Sequence, residues 1–165
     1  MNWELDKRWS DRFIPEIKSI CGMHLIGEAS KEEDAKHNTD LLVLTAGRNR
    51  IACRVRKYKY LAKYGDEFTI RAGRPSGTQT ELDKIINGWG DYFIYGFSDT
   101  QETKLVRWFL GNLKKLRTYC YRELSATHNH PRWERCYNYD NSSNFVAFSL
   151  CDMPTGFLIA SYGFD

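Results

Sequence analysis

Apolar residues along this chain recur at two spacings, about 3.6 and 2, and the changes from one to the other outline its elements. Trp9, Phe13, Ile17 and Ile20 recur at helical spacing. With Ser10 as candidate N-cap and Pro15 marking a kink or a later start, they predict a helix ending near Gly22. Met23 to Ile26 reads as a short strand, and the charged stretch Lys31 to Asn38 as a loop or a frayed turn. Asp40 to Leu44 is a nearly continuous apolar run. A Gly-Arg-Asn turn and the alternating segment Arg50 to Lys57 follow it, and together they predict a hairpin. In its second strand Ile51, Cys53 and Val55 share one face, and Arg50, Arg54 and Arg56 the other.

Glu67 to Ala72 alternates again, Phe68 and Ile70 against Thr69 and Arg71, and predicts a further strand. Thr80 to Gly88 reads as a short helix capped by Thr80 and ended near Gly88, and Asp91 to Phe97 as an aromatic strand. Leu105, Phe109, Leu113, Leu116 and Cys120 fall on one helical stripe, with Lys104, Arg107, Lys114 and Arg122 largely off it, so the longest helix is expected there. Beyond it residues 127–144 look irregular and 144–150 read as a strand. The apolar end, 153–164, is expected to pack back on the core. The prediction is one α/β domain: a mixed central sheet flanked by helices over residues 1–124, with 125–165 as a C-terminal extension on the same domain.

Composition sets limits around that picture. A chain of 165 residues that is 42% hydrophobic is long enough for one real core. It holds no apolar run near the ~20 residues that span a bilayer. Its start, MNWELDKRWSDRF, has acids where a signal peptide is basic and then apolar. Five widely spaced cysteines suit a reducing compartment, so a cytoplasmic location and no membrane partner are expected. Net charge is only +3, yet Arg48, Arg50, Arg54, Arg56, Lys57, Lys59, Lys63, Arg71 and Arg74 crowd one segment against Asp66 and Glu67. These cations are either solvated, paired with Glu28, Glu32, Glu33 and Asp34, or turned to phosphate, whose oxygens match a guanidinium fork. Arg50, Arg54, Arg56, Lys57, Arg71 and Arg74 are the candidate nucleic-acid contacts, with Tyr58, Tyr60 and Tyr64 as candidate base-stacking rings.

The order helix, three strands, an extra strand, helix, strand and helix, with Asp40 opening NTDLLVL and Arg54 and Arg56 alternating in IACRVRK, resembles the PD-(D/E)XK nuclease-like superfamily over roughly Trp3 to Leu124. The resemblance implies a restriction-endonuclease-like core in which an aspartate like Asp40 and an acid on the third strand bind Mg²⁺, a following lysine activates water, and a first-helix glutamate such as Glu16 assists. Here Arg54 stands where that acid falls and Arg56 where that lysine falls, so the motif is degenerate. A divalent ion ~4 Å from Arg54 at an effective dielectric of ~20 would meet a repulsion of roughly 8 kcal/mol. Some members of the superfamily move the acid to the next helix, where Glu81 lies, with Lys84 one turn on; Asp40 and Glu81 would then hold the metal. Each acid also has an ordinary role open to it: Glu81 at a helix N-terminus, Asp40 at a turn, Glu16 on any helix.

Cys120, His128, His130 and Cys136 are zinc-ligand types within one region, without the paired spacing of structural zinc sites. No Walker loop, dinucleotide fingerprint or nucleophile elbow is present. The expected function is DNA or RNA binding through the arginine face on a degenerate nuclease-like fold, without a cofactor. The alternatives are an active endonuclease, the one reading that needs Mg²⁺, and a module that binds a protein partner and blocks a nucleic-acid enzyme.

Overall fold

Successive side chains of a strand leave on opposite faces, and the segment from Tyr92 to Ser98 is buried on both. It lies at the centre of the fold. The computed structural model describes residues 3–28, 41–43, 49–125, 133–140 and 143–164. In chain order the elements are α1 (Trp3–Asp11), α2 (Ile14–Leu25), β1 (Ile26–Glu28), β2 (Leu41–Val43), β3 (Ile51–Arg56), a 3-10 turn at Tyr58–Tyr60 running into α3 (Leu61–Tyr64), β4 (Glu67–Gly73), α4 (Glu81–Ile86), β5 (Tyr92–Ser98), β6 (Leu105–Asn112), α5 (Leu113–Ser125), β7 (Glu134–Tyr137), β8 (Asn144–Ser149) and β9 (Leu158–Tyr162). The protein is an α/β fold whose mixed four-stranded sheet runs β3-β5-β6-β9, with β3 parallel to β5 and the other pairs antiparallel. A three-stranded antiparallel sheet, β4-β8-β7, and the pair β1-β2 accompany it.

Two cores follow from the strand alternation. Tyr92 and Ile94 of β5 and Trp108 and Leu110 of β6 join Phe13, Ile17, Ile20 and Cys21 under the N-terminal helices. Phe93, Tyr95, Phe97 and Phe109 point the other way, onto Phe68 and Ile70 of β4, Val146 and Phe148 of β8, Leu82 and Ile85 of α4, and Leu113, Leu116, Tyr119 and Cys120 of α5. The large sheet is thus a middle layer between helices on one side and the smaller sheet with α4 and α5 on the other. The segment 144–164 supplies strands to both sheets and Phe157 to the second core. Among the described residues no helix is long and apolar enough to cross a membrane.

Several expectations are corrected. The hairpin from Asp40 to Lys57 is replaced by two unrelated pairings: β2 lies antiparallel to β1, and β3 lies parallel to β5. Asp40 and residues 44–48 fall outside the described residues. β3 has apolar residues for both cores, Ile51 and Val55 for one and Ala52 for the other, so it belongs beside a strand covered on both faces. The long segment from Lys57 to Asp91 provides the crossover a parallel pair needs. The helix expected from Leu105 is strand as far as Asn112. Helix begins only at Leu113, where the Asn112 side-chain oxygen accepts from the N–H groups of Lys114 (2.9 Å) and Lys115 (3.3 Å). The first predicted helix is two helices. Ser10 sits in the last turn of α1, where its hydroxyl donates to the Lys7 carbonyl, and Pro15 sits in the first turn of α2, where a missing N–H costs nothing. The strand expected at Met23 starts at Ile26 instead, and β7 and β9 occupy stretches read as irregular and as an apolar end.

Candidate functional site

Arg50 just before β3 and Arg54 on it, Arg71 and Arg74 on and just beyond β4, and Lys84 on α4 line one open depression of about 520 Å³. Glu81 and Trp89 line it too. The site depends on how α4 is held. Thr80 caps it with a capping box: its hydroxyl accepts from the Asp83 N–H, and its own N–H donates to the Asp83 carboxylate at 2.8 Å. That Thr80 N–H, and the Thr80 hydroxyl donating to the same oxygen at 2.7 Å, keep the Asp83 carboxyl below the usual carboxylate range. At the other end Gly88 takes φ +92° and donates to the Ile85 carbonyl at 3.1 Å, while the Trp89 N–H donates to the Lys84 carbonyl at 2.9 Å. This is a Schellman ending, which needs a glycine at that φ. From α5, Arg117 donates Nε to Ile85 O (2.6 Å) and Nη2 to Gly90 O (3.2 Å), and the Tyr121 hydroxyl donates to Ile86 O (2.9 Å). A cation on a helix C-terminus also suits the dipole.

Arg54 crosses the groove floor. Its Nη2 meets Glu81 Oε2 at 2.6 Å and its Nη1 donates to the Thr69 carbonyl at 2.9 Å, both side chains of the ion pair being about a quarter exposed (25% and 26%). The Arg71 N–H donates to the same Glu81 oxygen at 3.3 Å. Arg56 donates to the Thr69 hydroxyl (3.1 Å) and lies over the Tyr60 ring. The two arginines therefore tie β3 to β4 rather than standing as a free comb. Arg71 has no such neutralisation: burial, then the neighbouring Arg54 and Arg74 charges, push its pKa down, and Glu81 only partly restores it.

The expected contacts thus divide. Arg50, Arg54, Arg71 and Arg74 converge on the groove, whereas Lys57 pairs with Glu102 at 3.2 Å and lies over Trp9. Tyr58, Tyr60 and Tyr64 do not line it; Trp89, flanked by two glycines at a helix end, does. Glu16 is elsewhere, accepting the Leu105 N–H at 2.9 Å and lining a second depression beside Trp108 and Tyr162. Lys84 sits one turn from Glu81, and both line the groove.

The described donors do not by themselves make a Mg²⁺ site, and Asp40, the other expected ligand, lies outside the described residues. Glu81 is committed to Arg54 and to the Arg71 N–H, and among the described residues no three His, Cys, Asp or Glu side chains converge as a metal site. Of the zinc-ligand types, Cys120 is a core residue whose thiol burial pushes up to about 12, Cys136 lies on β7, and His128 and His130 are outside the described residues. Comparison with protein families, with curated proteins and with solved structures finds no match to this chain.

Proposed function

We propose that the protein binds nucleic acid, with the groove between β3, β4 and α4 holding the phosphate backbone. The observation that carries this reading is the charge of the lining: Arg50, Arg54, Arg71, Arg74 and Lys84 against Glu81, which is already taken by Arg54. Among the described lining residues four cations are left without a carboxylate, and three guanidinium groups crowd one another around Arg71. A phosphate chain relieves that crowding with oxygens placed for guanidinium forks. The reading does not require a nuclease core or a metal.

Fluorescence anisotropy with a labelled oligonucleotide tests it. With four cations available, the logarithm of affinity for a single strand should fall by about 3 per tenfold rise in salt. Negligible binding even at about 50 mM salt would end the proposal. Glu81→Gln gives a second, two-signed check. Loss of the charged partner should lower stability to urea by about 1 to 2 kcal/mol, because Arg54 keeps only a weaker acceptor. The same change removes a groove anion and should tighten oligonucleotide binding severalfold.

A further inference from the structure

We infer that the groove takes a single strand rather than a duplex, and that Trp89 is the platform on which one unpaired base stacks. This rests on the phosphate-binding reading and adds a ligand class to it. Trp89 is 57% exposed, although tryptophan is normally well covered, and it lies on the groove wall beside the cations. Its exposure is built in. The Schellman ending fixes its backbone, Gly90 follows at φ +85°, and the position against which that motif usually packs its apolar residue is held by Lys84, another groove cation.

The ring is also oriented in advance. Arg50 places its guanidinium 5.0 Å from the indole centroid, so the charge that would meet a phosphate also steadies the ring. Behind the loop, Arg117 holds the carbonyls on both sides of it, Ile85 and Gly90. A pre-set ring loses little freedom on binding, which favours stacking. Stacking on an aromatic side chain requires an open base face, which a paired base inside a duplex lacks. A sequence-tolerant single-strand site combines cations that follow the backbone with a ring for the bases, and Arg71, Arg74 and Lys84 with Trp89 supply both.

The test compares three labelled ligands of roughly 12 nucleotides at one salt concentration: oligothymidylate or oligouridylate, its abasic counterpart, and a duplex. The intact single strand should bind at least tenfold more tightly than the other two. Trp89→Ala should weaken the intact strand about tenfold, to the abasic level. It should leave the abasic affinity and the salt slope unchanged, with Trp89→Phe in between. Tighter duplex binding, or equal losses for intact and abasic strands, overturns the platform while leaving phosphate binding standing. No binding of any of the three at about 50 mM salt overturns the phosphate reading itself, and this inference with it.

Discussion

With Arg71→Ala and Arg74→Ala combined, oligonucleotide affinity is expected to fall about a hundredfold or more at roughly 0.1 M salt, with no loss of stability. A hydrogen bond to a charged group is worth about 1.5 to 3 kcal/mol, so two guanidinium contacts amount to at least ~3 kcal/mol, just over two decades of affinity. The salt dependence should shrink at the same time, by about 1.4 in log–log slope, because two fewer counterions are released from a single strand. Stability should not follow affinity. Arg71 is held below its ordinary pKa by burial and by Arg54 and Arg74, so its charge opposes the folded state, and removing it leaves the melting temperature equal or higher. Lys57→Ala is the matched control: it belongs to the same basic segment but pairs with Glu102 away from the groove, and should change affinity less than twofold. An affinity within threefold of wild type for the double variant, or an equal loss for Lys57→Ala, would put the binding surface elsewhere.

That control separates what the sequence told from what it did not. Alternation in residues 67–72 was legible because Phe68 and Ile70 do share the second core, and Thr80 was legible as a cap because capping chemistry is local. The arginine row on β3 was legible as a face but not in its destination. That Arg54 and Arg56 reach Thr69 and Glu81 depends on where β4 and α4 pack, which no local pattern encodes. The helix read from Leu105 failed for a specific reason. Ser98 pairs with Leu105 and Phe97 with Arg107, leaving Val106 as a bulge, so Leu105 enters one core and Phe109 the other. A bulge breaks the period of two, and the surviving spacing of four then reads as helix; in fact 105–112 is a strand covered on both faces. The hairpin misreading has the same root, since β3 serves two cores and pairs with a strand some forty residues on rather than with its neighbour in sequence. Trp89 was within reach: Gly-Trp-Gly after a helical segment signals an aromatic pinned at a helix end.

Phe68→Ala is expected to cost about 3 to 5 kcal/mol of folding stability, a large share of the roughly 5 to 15 kcal/mol that holds a domain together. The ring is fully buried, stacked on Phe148 (5.1 Å) and Phe157 (5.5 Å) and edge-on to Phe109 (5.3 Å), with Phe93 and Tyr95 also within ring contact. It lies where the four-stranded and three-stranded sheets meet. Removing it leaves a void lined by stiff aromatic rings, which close over a gap poorly, so the cavity contribution adds to the lost transfer energy. The midpoint of thermal unfolding should drop by about 10 °C or more, and Phe68→Leu, which keeps most of the volume, should lose far less. The effect should also reach the groove. Phe68 holds the strand that carries Arg71 and leads to Arg74, so loosening it misplaces these two groove cations, and oligonucleotide affinity should fall even in the fraction that remains folded. A loss below about 1 kcal/mol would mean that the two sheets do not share a core at this ring.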